Sequence, residues 1–402
     1  MPSQKEIEAM VPLSRALELV DGMRKAFYSS LECEPVPVQR SLDRRLASGV
    51  SARERSPRFN MSTVDGYAVR PADGYPLRII RDVYAGDRNK VLLGKGETVY
   101  VATGAAVPAG ADAVLKIEDV VAEGDLIVSG PSPGQEKNLV YAGSDFEAGD
   151  VILEKGAVIG PPAICVMSAA GVEDVPVFRR IRVGVLSTGD EIKNGMVRNC
   201  NAPMVCAMLQ RWGCDAGNAG AVPDDAGETK AILDDAAGRF DVIVTIGGIS
   251  VGKKDYVVST IMDGGEVVFK GYRLRPGKPL LVSYYKGRPV FSLPGKPTGS
   301  FTSMELIVKR FVLGDVRQPS VAVRLEKDVG VNAGDFEHVV YVKLGHSTAV
   351  PMGYKGSPLE LFPGPQYRVS LVSSSTRAIV ADGYFLARES MKAGDEVIVT
   401  LL

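Results

Sequence analysis

The sequence predicts a multidomain protein in which a three-layer α/β domain is flanked by small β domains and by a discontinuous N-terminal domain. Three observations carry this prediction. Strand and helix signals alternate from residue 181 to 313, the pattern of βαβ units on a mostly parallel sheet. Short β-rich runs broken by Gly, Pro and Asp fill residues 60–144 and return at 315–402, with no long helical period. An amphipathic segment at 12–28 runs into the Pro-, Ser- and Arg-rich stretch EPVPVQRSLDRRLASGVSARERSP, which leaves one body and enters another.

Taken in order, Leu13, Ala16, Val20, Met23 and Phe27 recur at helical spacing with charges between them. The runs PLRII, ETVYVAT, DAVLKI and DLIVS form the first β domain, expected to be antiparallel. GSDFEAGDVILEKGAVIGPPAICVMSAAG gives a short strand, a Gly-rich turn and a helix opening at Pro161 or Pro162. This segment is expected to rejoin the body that holds the first helix. Strands follow at IRVGVLS, NAGAVP, DVIVTI, EVVFKGYRL and PVFSL, with helices near 201–212, 226–238, 255–263 and 298–313. The expected domains are 1–50 with 145–178, then 51–144, 179–314 and 315–402.

Composition narrows the function. Of 402 residues, 45% are hydrophobic and 24% charged, enough for large packed cores. A formal net charge of −1 supplies no field for nucleic acid or an anionic membrane surface. No apolar run reaches a membrane span, and the polar start MPSQKEIEAM lacks a signal-peptide core, so a cytoplasmic protein is expected. Five cysteines without CxxC spacing argue against disulfide or zinc scaffolds. Two histidines leave carboxylates, lysines and backbone N–H groups to carry any chemistry.

Those groups gather in loops where strands end. One is Leu186-Ser-Thr-Gly-Asp-Glu191. A second is Gly247-Gly-Ile-Ser-Val-Gly252, followed by Asp255. A third, Leu293-Pro-Gly-Lys-Pro297, runs into a helix, and Arg275-Pro-Gly-Lys-Pro279 lies between strands. In open α/β sheets such loops converge on one edge, where ligands bind. Gly247, Gly248 and Gly252 let backbone N–H groups approach a phosphate closely. Ser187, Thr188 and Ser250 offer hydroxyls, and Lys278 and Lys296 offer point charges for oxyanions. Asp190, Glu191 and Asp255 are candidate Mg²⁺ ligands. Each loop also has a plain reading, since Asp255 can cap a helix and PGKP can be an ordinary turn. In the β domain, Asp65-Gly66, Thr103-Gly104 and Asp145 read locally as turns.

In their order, STVDGYAV, VATGAAVPAGADAVLKIED, GSDFEAGDVIL, VGVLSTGDEI, DVIVTIGGISVGKKDY, RPGKPLL and FSLPGKP resemble the molybdopterin molybdenumtransferase family, the MoeA and gephyrin E-domain group. The motifs run from about residue 59 to 313, and the last 85 residues resemble the family only through KGSPLEL and AGDEVIV. The resemblance implies an elongated homodimer whose α/β domain is a molybdopterin-binding, MoaB/MogA-like fold. It implies an enzyme that inserts molybdate into adenylylated molybdopterin, releases AMP and requires Mg²⁺. On matching positions, Glu191, Asp255 and Asp224 become the acidic members of the α/β site. Lys278, with Arg275 beside it, would sit near phosphate or molybdate. Gly189 belongs to the first loop, and Pro294, Gly295, Lys296 and Pro297 to the anion loop. The other subunit's β domain would bring Asp65, Thr103 and Asp145.

The sequence departs from the family in places. Lys296 stands where Asn is usual and Val64 where Met is common. RNCN at 198–201 keeps Asn201 but lacks the acidic residue and Ser before it, and the closing domain lacks a clear Gly-Arg opening. Three alternatives stay open: a molybdopterin adenylyltransferase, a gephyrin-like scaffold without activity, and a tungstate-preferring homologue. A molybdopterin adenylyltransferase is also a candidate partner.

Overall fold

The computed structural model describes residues 9–70, 72–87, 91–132, 137–249, 256–331, 334–354, 357, 359–361 and 369–402. The chain divides into two compact units, one of residues 32–179 and one of residues 1–31 with 180–402.

The larger unit is built on a seven-stranded sheet in the order 9–11, 265–272, 281–285, 288–293, 242–246, 182–188 and 215–222. The last four strands in that order run parallel to one another. Strand Leu281–Tyr285 is antiparallel to both neighbours. Side chains alternate across the pleat: Val242, Val244 and Ile246 enter one core, while Ile243 enters the other. The first core is covered by helix Asn201–Arg211, whose Ala202, Val205, Cys206 and Leu209 form one buried stripe. The helical run Pro297–Leu313, with a π turn at Met304–Val308, covers the same face. Helices Ala226–Arg239 and Tyr256–Gly264 cover the other face, completing three layers.

Helix Leu13–Ser30 joins this unit, which corrects the expected grouping of residues 1–50 with 145–178. Its Leu13, Ala16, Val20 and Met23 are buried in the α/β core, and strand Ala9–Val11 pairs with Gly265–Tyr272. An amphipathic stripe demands an apolar partner without specifying which one.

Residues 320–401 carry a second sheet in this unit, in which strand Glu337–Leu344 also pairs with Gly383–Ala387, so five strands close into a ring. A sixth strand of that sheet, Leu274–Arg275, comes from the α/β region and pairs with Glu337 and His338.

The smaller unit has two parts. Segments 33–51 and 151–178 pair with each other around helix Pro161–Ala169, over a core of Val38, Leu46, Ile159, Met167 and Val177. A six-stranded sheet holds strands 113–116, 66–69, 97–101, 77–83, 126–129 and 121–123, in that order. It is not purely antiparallel as expected: Leu77–Val83 and Glu97–Val101 run parallel.

Candidate functional site in the α/β domain

The parallel strands end on one edge of the sheet, and a cavity of about 470 Å³ opens there. Its wall includes Ser187, Thr188, Gly189 and Glu191 from the Leu186–Glu191 loop, Asp224 after strand 215–222, Gly247 and Gly248 after strand 242–246, and Gly295 and Pro297 from the Leu293–Pro297 loop. The loops at 186–191, 247–248 and 293–297 thus meet as expected, while no residue of the expected fourth loop, Arg275–Pro279, lines the cavity.

Hydrogen bonds tie these loops to one another. The Thr188 hydroxyl donates to the Ile246 carbonyl at 3.1 Å, and the Gly247 N–H to the Leu293 carbonyl at 2.9 Å. The Gly189 N–H donates to Val222 at 2.9 Å, and the Asp224 N–H to Asp190 Oδ1 at 3.2 Å. Gly247 and Gly248 have φ of +90° and +65°, which other residues adopt at a cost. A Cβ on Gly247 would lie 2.6 Å from Thr188 Oγ1. The glycines thus serve a close backbone approach to the first loop.

Two asparagines that the motif reading had not placed in the site complete the wall. Asn199 donates from Nδ2 to Ser187 Oγ at 2.8 Å and accepts the Ala202 N–H at 3.1 Å, at the start of helix Asn201–Arg211. Asn201 donates to the Gly295 carbonyl at 2.8 Å, fastening that helix to the Leu293–Pro297 loop. Arg198, Cys200 and Tyr256 also line the cavity. The only sequence signal was the Asn201 match; short polar residues before a helix otherwise read as caps.

Several expected site residues lie elsewhere. Asp190 does not line the cavity, because its carboxylate is turned to the Asp224 N–H. Lys296 turns its ammonium to Ser374 Oγ, 3.0 Å away, in the C-terminal β domain. Pro294, whose carbonyl accepts from the Ser300 hydroxyl, is buried behind the loop. Arg275 and Lys278 lie outside the cavity wall and beside Phe336: the guanidinium carbon is 4.4 Å and the ammonium 5.8 Å from the ring centroid. Ser250, Gly252 and Asp255 fall outside the described residues. Among the described residues, no three His, Cys, Asp or Glu side chains gather as a metal-binding group.

In the smaller unit, Asp65 and Thr103 meet directly. Asp65 Oδ1 accepts the Thr103 N–H at 2.6 Å and the Thr103 hydroxyl at 2.9 Å. The N–H bond, helped by the hydroxyl, holds this exposed carboxyl below its ordinary range. Asp145 is exposed and uses its own N–H on the Ser56 carbonyl at 3.0 Å.

Residues 11–171 match the MoeA N-terminal region (domain I and II), and residues 184–314 match a probable molybdopterin binding domain. A molybdopterin molybdenumtransferase of Staphylococcus aureus is 31% identical over 315 residues, covering 74% of each chain. One from Staphylococcus epidermidis is 30% identical over 321 residues, covering 75% of this chain and 76% of that one. The crystal structure of a molybdopterin biosynthesis MoeA protein from Pyrococcus horikoshii superposes with a TM-score of 0.76 at 33% identity, covering 98% of this chain and 99% of that one. No helix among the described residues is long and apolar enough to cross a membrane. On the matched sequence and the shared fold, the chain belongs to the molybdopterin molybdenumtransferase family, transferases of molybdenum cofactor biosynthesis.

Proposed function

We propose that this chain inserts molybdate into adenylylated molybdopterin and releases AMP. The observation that carries the proposal is the cavity in which hydroxyls, glycine backbone and two carboxylates face one another. Ser187, Thr188, Gly247 and Gly248 would take the phosphate-bearing part of the substrate. Glu191, Asp224 and the Thr188 hydroxyl bring oxygen donors to the same wall, the donor chemistry that Mg²⁺ takes. Those residues would hold the ion, which would offset phosphate charge. Arg275 and Lys278 would attract the oxyanion, and holding both reactants lowers the entropic barrier to their meeting.

The active species would be a homodimer whose second subunit supplies Asp65, Thr103 and Asp145. The Thr103 bonds support this reading, since they hold an exposed, ionised carboxylate in one orientation. Mixing Asp65→Ala with Asp224→Ala protein tests it. Mixed dimers then carry one intact site in two, and about a quarter of wild-type activity returns. No recovery on mixing refutes the shared site.

The deciding assay follows AMP release from adenylylated molybdopterin with Mg²⁺ and molybdate, tungstate or neither. Oxyanion-dependent AMP is the expected result, and the concentration dependence names the preferred metal. Consumption of ATP with free molybdopterin would make the chain an adenylyltransferase instead. Binding without AMP would make it a scaffold. The cavity has its own reporter: Cys200 is exposed and lines it. Bound substrate is expected to shield Cys200 from alkylation while the exposed Cys33 and Cys165 still react.

A further inference from the structure

The C-terminal β domain sets one aromatic ring against the two cations of the RPGKP loop. Strand Leu274–Arg275, which leads into the RPGKP loop, is paired to Glu337 and His338 of that domain's sheet. Phe336, the residue before this pairing, meets both cations of the loop, with Arg275 at 4.4 Å and Lys278 at 5.8 Å from the ring centroid. The acids on either side of Phe336 are engaged by other arginines. Asp335 pairs with Arg273 at 3.2 Å, and Glu337 accepts from Arg388 Nε at 2.7 Å. Among the described residues neither Arg275 nor Lys278 makes an ion pair.

That combination has a physical logic. A carboxylate beside Arg275 or Lys278 would fix the cation and neutralise it. An aromatic face attracts a cation through its quadrupole and leaves the net charge intact. Two like charges brought to one loop repel unless something holds them, and the ring supplies the hold while the charge stays available.

We propose that Phe336 is a positioning residue for oxyanion binding: its ring holds Arg275 and Lys278 together, un-neutralised, for a tetrahedral dianion such as molybdate. The inference rests on the proposed transferase reading for its place in the reaction, though binding can be measured without turnover. It also assigns the C-terminal domain a part in recognition, since the ring belongs to that domain.

The test uses the full-length protein, with molybdate as the probe in calorimetric titration at low salt. Phe336→Leu keeps an apolar side chain and removes the π face. It is expected to weaken molybdate binding about tenfold, the combined scale of the two cation–π contacts it removes. Phe336→Tyr keeps the face and is expected to bind within about threefold of wild type on the same scale. In turnover, Phe336→Leu raises KM for molybdate and leaves KM for adenylylated molybdopterin unchanged, a split that general loosening of the fold would not give. Wild-type affinity in a folded Phe336→Leu protein overturns the proposal, as does equal loss in the Leu and Tyr variants. Wild-type protein that fails to bind molybdate also overturns it, leaving the transferase reading to the AMP assay. Molybdate binding without AMP release would sink that reading and spare this inference.

Discussion

The tetrapeptide Pro-Gly-Lys-Pro occurs twice, at 276–279 and at 294–297, and the two copies have different surroundings. The first joins a strand of the C-terminal sheet to a strand of the α/β sheet, and its lysine stands exposed beside an aromatic ring. The second opens a helix, with Pro297 in the first turn where its missing N–H costs nothing. Its Gly295 and Pro297 line the cavity while its lysine reaches away to Ser374. Thr298, next in sequence, is buried, and its hydroxyl lies 3.1 Å from the Val372 carbonyl and 2.9 Å from the Ser375 carbonyl. Identical words thus do different work: the first presents charge, and the second fastens the C-terminal domain to the wall of the cavity.

The sharpest way to break this comparison is to remove each charge while keeping the stem. Lys278→Met is expected to reduce molybdate-dependent AMP release about 100-fold, the cost of losing one preorganised group facing developing negative charge. Lys296→Met should change it by no more than about threefold, since an exposed hydrogen bond to a hydroxyl is worth little. Equal losses in the two variants would erase the distinction. Next in size is Thr298→Val, which removes the one hydroxyl proton that the Val372 and Ser375 carbonyls share. It should lower unfolding free energy by about 1–3 kcal/mol in denaturant titration, because buried polar groups lose their partner. A Thr298→Val protein as stable as wild type would show that the second copy fastens nothing.

The opening strand-end loops were legible because their logic is local. An apolar run such as Val242–Ile246 followed by paired glycines specifies a buried strand and a tight turn without reference to the rest of the chain. The stripe of helix Leu13–Ser30 was equally legible, but its partner was not, since apolar faces are interchangeable until the chain is folded. The two lysines show the same limit. The shared Pro-Gly-Lys-Pro does not distinguish Lys278 from Lys296; Phe336 and Ser374, 58 and 78 residues away, show which partner each meets. The parallel pairing of Leu77–Val83 with Glu97–Val101 was hidden for a related reason, because strand composition records burial and not direction.

A third and smaller effect extends the contrast to an anion. Asp65 is held by Thr103 where Lys278 is held by a ring. Because its folded pKa lies below the ordinary 3.8, ionised Asp65 favours the folded form. That contribution is present above 3.8 and is lost as pH falls through the folded value. Carboxyl NMR should place the midpoint below 3.8 in wild type. Thr103→Val should raise the midpoint only part of the way, since the backbone N–H remains and is the larger cause. A wild-type midpoint at or above 3.8 would show that the exposed bonds do not persist in solution.

The pairing of Ala9 with Lys270 bears on how the molecule is made. A ribosome adds roughly 5–20 residues per second, so the partner of that first strand arrives on the order of 10–50 seconds later. During the interval the strand at 265–272 and the helices at 304–313, against which the apolar stripe of helix 13–30 packs, do not yet exist. The smaller unit, contiguous at 32–179, can finish first. Newly made chains therefore carry an exposed sticky segment ahead of a completed unit, and a chaperone that holds such segments would raise the yield of active protein more than it would for a chain whose units are consecutive.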